Sequence, residues 1–368
     1  MADRVVLHIG TMKSGTSFVQ SALMGNESAL ADAGYVYLGK SFAKQSRAVR
    51  SGLGKAPKPR GGRMWSALVQ EARDHPGEAG VISMEFLSFA RGAQLDAFLE
   101  PLAGLHVQVV LTVRDQFRAI PAQWQTFVRN FGTDDWESYL RLIETPRLGR
   151  GRDSRAFITF HRAQDIVPMM ARWSEHPVVS RLDVVTVPPV EAPRDELWRR
   201  FCTAVGLPFE ATRLEDTRDN TSLGYASCDY LRRLNVHLAD VAPRLYRRAV
   251  RPLTRDVLGP LRSEQGRPEL DKRASSYARG LNEKVRVAVT KAGHGFVGSL
   301  DDLPVPSETH APSVVAKAPT DQVLRAATAT WDHCAQLLGI DPASRPVGLD
   351  PVVADSARLL RRVHGWNG

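Results

Sequence analysis

Gly10, Lys13, Gly15, Thr16 and Ser17 fall within eight consecutive residues, and their types suit the grip of a phosphate group. The apolar stretch 5–9 just before them reads as a buried strand, and a helix opens at Ser17. A strand, a glycine-bracketed turn and a helix start aim backbone N–H groups and the positive helix end at one spot. The Gly10-to-Gly15 spacing matches a Walker A loop, Gly-x-x-x-x-Gly-Lys-Ser/Thr. Thr16 stands where that loop needs its lysine. The lysine of this chain, Lys13, comes two residues before the second glycine. A glycine-rich turn without a ligand is the plainer alternative.

The elements that must position this loop follow from the apolar pattern. After the strand–loop–helix of 4–34, residues 35–38 read as a short strand. A helix at 64–75 leads to a buried strand at 80–84, which runs into Glu85. A helix at 92–102 leads to another strand at 107–113, which runs into Arg114 and Asp115. This alternation predicts an α/β fold, a three-layer parallel sheet with helices on both faces. Right-handed crossovers bring the carboxyl ends of such strands to one edge. Gly10, Glu85 and Arg114 each sit just past a strand end, so the topology predicts that they converge.

Further along, an amphipathic helix is expected at 115–130 with Trp124 and Phe127 inward, then a helix at 160–174 and a strand at 182–187. A helix at 194–205 is expected to end at Gly206. Residues 222–300 read as basic and mostly helical. Residues 306–319 read as a proline-bearing linker, and 320–368 as a helix of about 320–338 followed by a tail. Residues 40–63 carry Lys40, Lys44, Arg47, Arg50, Lys55, Lys58, Arg60 and Arg63 without an acid. Gly and Pro punctuate the run, so it reads as a loop, either a solvated surface or a flap over an anionic ligand.

Lys13-Ser14-Gly15-Thr16 after an amino-terminal strand resembles the nucleotide loop of the sulfotransferases that use 3′-phosphoadenosine 5′-phosphosulfate (PAPS). Several other segments are similar to a bacterial branch of that family: Trp124-Gln125 with Arg129-Asn130, the stretch 184–189, Leu197-Trp-Arg-Arg-Phe201, the stretch 220–224 and Gly298-Ser-Leu-Asp-Asp-Leu303. They extend the resemblance over most of 1–305, as one sulfotransferase domain of P-loop-like fold. Most of these segments read as packing, Trp198 and Phe201 first among them. Asn220 and Ser222 are expected to cap a helix beginning near Leu223, a cofactor contact being the alternative.

The resemblance implies roles. Lys13 would touch the oxygen bridging phosphate and sulfate, and the backbone of Ser14, Gly15, Thr16 and Ser17 would cradle the 5′-phosphate. Arg114 would hold the 3′-phosphate with its planar fork. Glu85 would act as the base for the acceptor, or else bind acceptor hydroxyls or cap a helix. The product would be 3′-phosphoadenosine 5′-phosphate (PAP), and no metal is implied. Met12 stands where the family usually has proline. Ala122 stands where it has a serine ligand, which removes a charge-assisted hydrogen bond of about 1.5–3 kcal/mol. Arg118, Gln125 and Arg129 are the candidates to replace it.

Composition sets the remaining bounds. The 368 residues, 43% hydrophobic, suffice for a large α/β domain. The three cysteines are widely spaced and form no metal pattern, which points to a reducing compartment. The strand begins almost at once, leaving no space for a leader. No apolar run approaches the ~20 residues of a membrane span, so a cytoplasmic protein is expected. The net charge of +9 suits nucleic acid, a highly anionic cofactor or an acidic acceptor, and the acceptor expected is a small molecule or glycan. No nucleic-acid module is present. None of the ten histidines forms a His-Glu-x-x-His pair, and His8 reads as a core residue. Two rival functions remain: a P-loop ATP or GTP enzyme, and a non-catalytic binder of acidic partners through the basic helices of 231–286.

Overall fold

The computed structural model describes residues 4–55, 62–145, 147–148, 152–214, 222–291, 293–307 and 311–366. The chain divides into two compact units. The first comprises 1–119, 161–219 and 278–307, and the second 120–160, 220–277 and 308–368.

In chain order, β1 (Arg4–His8) is followed by α1 (Thr16–Gly25), α2 (Glu27–Asp32), β2 (Tyr35–Tyr37), α3 (Phe42–Gly52) and α4 (Arg63–Asp74). Next come β3 (Ala79–Ser83), α5 (Ala93–Leu99), β4 (His106–Val113), α6 (Gln116–Val128) and α7 (Trp136–Glu144). A short antiparallel hairpin, β5 (Arg147–Leu148) and β6 (Arg152–Asp153), precedes α8 (Arg155–Gln164), α9 (Ile166–Ser174), β7 (Val179–Thr186) and α10 (Glu196–Val205). The chain continues through α11 (Tyr225–His237), α12 (Pro243–Pro252), α13 (Lys272–Lys291), β8 (Gly295–Val297), α14 (Thr320–Leu338) and α15 (Leu349–Val363).

The first unit is an α/β structure on a six-stranded, all-parallel sheet in the order β2-β3-β1-β4-β7-β8. Alternate side chains of a strand point to opposite faces, and β1 shows what this does. Val5, Leu7 and Ile9 enter one layer with Ala48 and Val49 of α3, Leu68 of α4, Phe98 of α5 and Trp173 of α9. Val6 enters the other layer with Val19 and Leu23 of α1 and Trp198 and Phe201 of α10. Because both faces are covered, β1 and β4 are buried almost throughout. That is why they read as apolar runs rather than alternating ones.

In the second unit, α11, α14 and α15 pack together. Tyr230, Leu234, Trp331 and Leu360 are buried there, and the Trp331 indole donates to Asp355 Oδ2 at 2.8 Å. Trp124 and Phe127 of α6 are buried, as their spacing predicts.

Several expectations need correction. Residues 42–52 of the basic stretch are helical, not loop. Ser41 caps α3 by accepting from Lys44 N, and the inner face is small or polar, with Gln45, Ala48, Val49 and Ser51. Of the flap expected at 40–63, residues 56–61 lie outside the described residues. The supposed tail holds α15, which packs its Val352, Val353 and Leu360 inward. The basic stretch expected to be helical supplies the sixth strand, β8. The helix expected at 160–174 is two helices, because Pro168 in the first turn of α9 has no N–H for the Gln164 carbonyl. Gly224, not Ser222, precedes the first turn of α11, and Asn220 lies outside the described residues. Among the described residues no helix is long and apolar enough to cross a membrane.

Candidate functional site

The sheet order decides where a ligand can sit. From β1 the chain leaves toward β2 on one side, and from β4 it leaves toward β7 on the other. Open parallel sheets bind ligands outside the carboxyl ends of strands at such a switch point. The loop after β1 and Arg114 after β4 lie there. Glu85 follows β3, which pairs with the other edge of β1. The three strand ends that carry Gly10, Glu85 and Arg114 are therefore consecutive in the sheet.

Pairing continues past the end of β1, with Ile9 N donating to Val110 O and Thr11 N to Thr112 O, each at 2.9 Å. The chain then turns through left-handed backbone at Gly10 (φ 36°), Lys13 (φ 67°) and Gly15 (φ 81°). Glycine is needed at both ends of the turn. A Cβ on Gly10 would lie 2.2 Å from Thr16 Cγ2, and one on Gly15 would lie 2.3 Å from Leu197 Cδ2. Lys13 has no such licence. A side chain in left-handed backbone costs roughly 1–2 kcal/mol, and strain of this kind collects at functional loops.

Ser14 anchors the turn from beneath. Its hydroxyl is buried, donates to Thr11 O at 2.6 Å and meets Thr112 Oγ1 at 2.6 Å. Only the backbone of Ser14 is left to face a ligand. Thr16 is also buried, with its methyl against Gly10, whereas Ser17 is exposed. Gly15 supplies no side-chain cap to α1, and the first turn of α1 has no acid. The amino-terminal N–H groups of a helix have no intrahelical partners, and the dipole there is positive.

Arg114 Nη1 donates to the carbonyl of Lys13 at 3.3 Å, which ties the end of β4 to the apex of the loop. Asp115 plays a different part. Its Oδ1 accepts from Arg118 N at 3.0 Å and its Oδ2 pairs with the Arg118 guanidinium, so it caps the start of α6. Glu85 is half-buried and accepts at Oε2 from Gln20 Nε2 of α1 at 3.2 Å. The same Gln20 amide donates to Ser83 O at 2.9 Å, bridging α1 to the end of β3. Burial and then the charge of Glu85 hold the Tyr37 phenol above the ordinary tyrosine range.

The loop is thus joined to Arg114 directly, and Glu85 is joined to α1 through Gln20. Two proposed replacements for the missing serine are committed elsewhere. Arg118 serves Asp115 and the carbonyls of Val187 and Pro188, and Gln125 donates to Leu223 O at 2.7 Å. Arg129 lies in the second unit, half-buried, and pairs with no carboxylate among the described residues. Burial, and to a lesser degree Arg251, hold its guanidinium below its ordinary range.

His8 is a core residue. It is fully buried, its Nδ1 meets Ser83 Oγ at 2.7 Å and its Nε2 meets Thr112 Oγ1 at 3.2 Å. Burial pulls its pKa down to about 3, so the ring is neutral. Trp198 and Phe201 are core residues too, as expected, and Leu197 lies against the loop at Gly15.

Sequence reasoning missed the amides that brace the loop. Gln164 donates to Met12 O at 2.8 Å, and Gln116 donates to Gln164 Oε1 at 3.2 Å. Gln116 N in turn donates to Asn282 Oδ1 at 2.9 Å. No signal in the sequence marks these residues, since each pairs with a partner far along the chain. Among the described residues no three His, Cys, Asp or Glu side chains gather as a metal would need. No protein-family model, no curated protein and no solved structure matches the chain.

Proposed function

We propose that this protein moves a sulfuryl group from PAPS to a hydroxyl or amine of an acceptor, and that its three-layer first unit is a sulfotransferase fold of P-loop-like type. The observation that carries the reading is the strained turn at Lys13, set between two obligatory glycines and tied to Arg114. A Walker A lysine sits after the second glycine, on the helix. Lys13 sits before it, at the apex of the turn.

The residues present fit the donor. Gly10 and Gly15 let the loop close tightly against Thr16 and Leu197, where no Cβ fits, and α1 opens beside it without an acid. PAPS supplies a sulfuryl group joined to its 5′-phosphate through one bridging oxygen. Lys13 neutralises the charge that gathers on that oxygen as its bond to sulfur breaks. The N–H groups of Ser14 to Ser17 hold the 5′-phosphate, and Arg114 holds the 3′-phosphate. The acceptor oxygen or nitrogen forms the new bond to sulfur, Glu85 takes the acceptor proton, and PAP departs. The in-line geometry and loose transition state parallel phosphoryl transfer. A preorganised contact such as that of Lys13 is typically worth about 10²–10³ in rate.

Thermal unfolding with nucleotides tests the reading. PAP without magnesium is expected to stabilise the protein, by about 2.7 kcal/mol at a hundred times its Kd. ATP, with or without magnesium, is expected to do little. Stabilisation by magnesium-ATP with none by PAP would move the protein to the nucleoside triphosphate class.

A further inference from the structure

The segment after β3 runs Glu85-Phe86-Leu87-Ser88-Phe89 as a single 3-10 helix. Residues three apart eclipse one another in a 3-10 helix, so Phe86 and Phe89 stand on one side of the turn that opens with Glu85. Each ring carries a guanidinium. Arg50 of α3 lies 4.9 Å from the centroid of Phe86, and Arg162 of α8 lies 4.9 Å from that of Phe89. Two cations more than a hundred positions apart in the chain are thus brought to one five-residue turn.

Lys55, just beyond α3, makes a third. Its backbone N donates to Arg50 O at 2.8 Å, and burial, then the charges of Arg162 and Arg50, pull its ammonium below the ordinary lysine range. An aromatic face orients a cation without neutralising it. Among the described residues none of the three pairs with a carboxylate, and all three are exposed. The result is a solvent-facing positive field on the turn that presents Glu85.

We propose that Arg50, Lys55 and Arg162 recognise an anionic group on the acceptor, so that the acceptor class is a hydroxyl compound bearing a carboxylate, sulfate or phosphate. This rests on the donor reading above, with Glu85 facing the acceptor. The rings of Phe86 and Phe89 hold the guanidiniums at fixed places while the anion is bound. The acceptor hydroxyl is then presented to Glu85 by charge at a neighbouring point, which converts binding energy into orientation.

The test uses a matched pair of probes, 4-hydroxyphenylacetate and its neutral amide, titrated by ligand-observed NMR into the full chain saturated with PAP. The anion is expected to bind about tenfold tighter than the amide at low ionic strength, the size that two or three partly screened contacts give. That preference should shrink as salt is raised. It should vanish in the double variant Arg50→Gln, Arg162→Gln, checked for fold by circular dichroism. Equal affinity for the two probes in the unaltered protein, or a preference that survives both substitutions, overturns the proposal. Displacement of the anion by PAP also overturns it, since the patch would then serve the donor. A protein that does not bind PAP at all fails the donor reading instead, and that failure is visible before any probe is added.

Discussion

Replacing Lys13 by glycine separates chemistry from folding. Lys13 adopts φ 67°, where a side chain costs roughly 1–2 kcal/mol and glycine costs nothing. Glycine forfeits about 0.5–1 kcal/mol through the extra freedom of the unfolded chain. The two terms leave the variant between unchanged and about 1.5 kcal/mol more stable. The Lys13 carbonyl that accepts from Arg114 survives the substitution, so the loop keeps its tie to β4. Sulfuryl transfer should nonetheless fall by about 10²–10³, equivalent to about 2.7–4 kcal/mol of lost transition-state stabilisation. Thermal unfolding and a labelled-PAPS turnover assay on the same preparation give both numbers. An unfolding temperature at or above that of the parent together with lost turnover is the expected pair. Turnover within a few-fold of the parent would refute the role of the ammonium group, and a large drop in stability would make Lys13 a structural residue.

The other expectations concern residues around the loop. Glu85→Gln should cost at least about a hundredfold in kcat. PAP affinity should be preserved, because a glutamine oxygen can still accept from Gln20; lost PAP affinity would show that the carboxylate serves structure. Gly15→Ala should destabilise by about 1–3 kcal/mol from left-handed strain, and a Leu197→Ala background should relieve only the part due to the 2.3 Å approach to Leu197 Cδ2. Denaturant unfolding of the double variant reads that split, and full additivity would show that the two residues do not touch. His8 has a folded pKa of about 3, below its unfolded 6.5, so the unfolded chain binds the extra proton between those values. Its contribution is therefore complete above about pH 6.5 and lost at about 1.4 kcal/mol per pH unit as pH falls toward 3. His8→Gln should remove one proton from the slope of unfolding free energy between pH 4 and 6, and an unchanged slope would mean that the imidazole is solvated.

What could be read from the chain beforehand follows from burial. β1, β3 and β4 are covered on both faces, so their apolar runs stand out and the α/β reading follows from them. β8 is three half-buried residues beside glycines, too short to show any period. α3 hides for another reason. The amide of buried Gln45 donates to Leu38 O and Val81 O at 2.8 and 2.9 Å, so a polar side chain sits where a core residue would have shown the helix. The two glycines of the loop were legible because spacing alone marks them. The inward turn of Ser14 was not, because its partner Thr112 is 98 residues away. Gln164 likewise reaches back 152 residues to a backbone carbonyl, and a backbone carbonyl leaves no trace in the sequence.

The pair Arg114-Asp115 carries the last distinction. A strand that ends in an acid invites a magnesium reading, and one that ends in an arginine invites a phosphate reading. The side chains divide the two positions between two tasks. Asp115 turns to the first turn of α6, where it accepts one backbone N–H and one guanidinium and is 3% exposed. Turning it toward the loop would cost both contacts and leave Arg118 holding only carbonyls. Arg114 turns the other way and meets the loop at the carbonyl of Lys13. A carboxylate already committed to capping is a poor metal ligand. Arg114 thus meets Lys13 at the loop, and the acid that follows Arg114 faces away, toward α6. On the proposed reading, Lys13 and Arg114 would meet the separated anionic groups of PAPS, while Asp115 stays with α6.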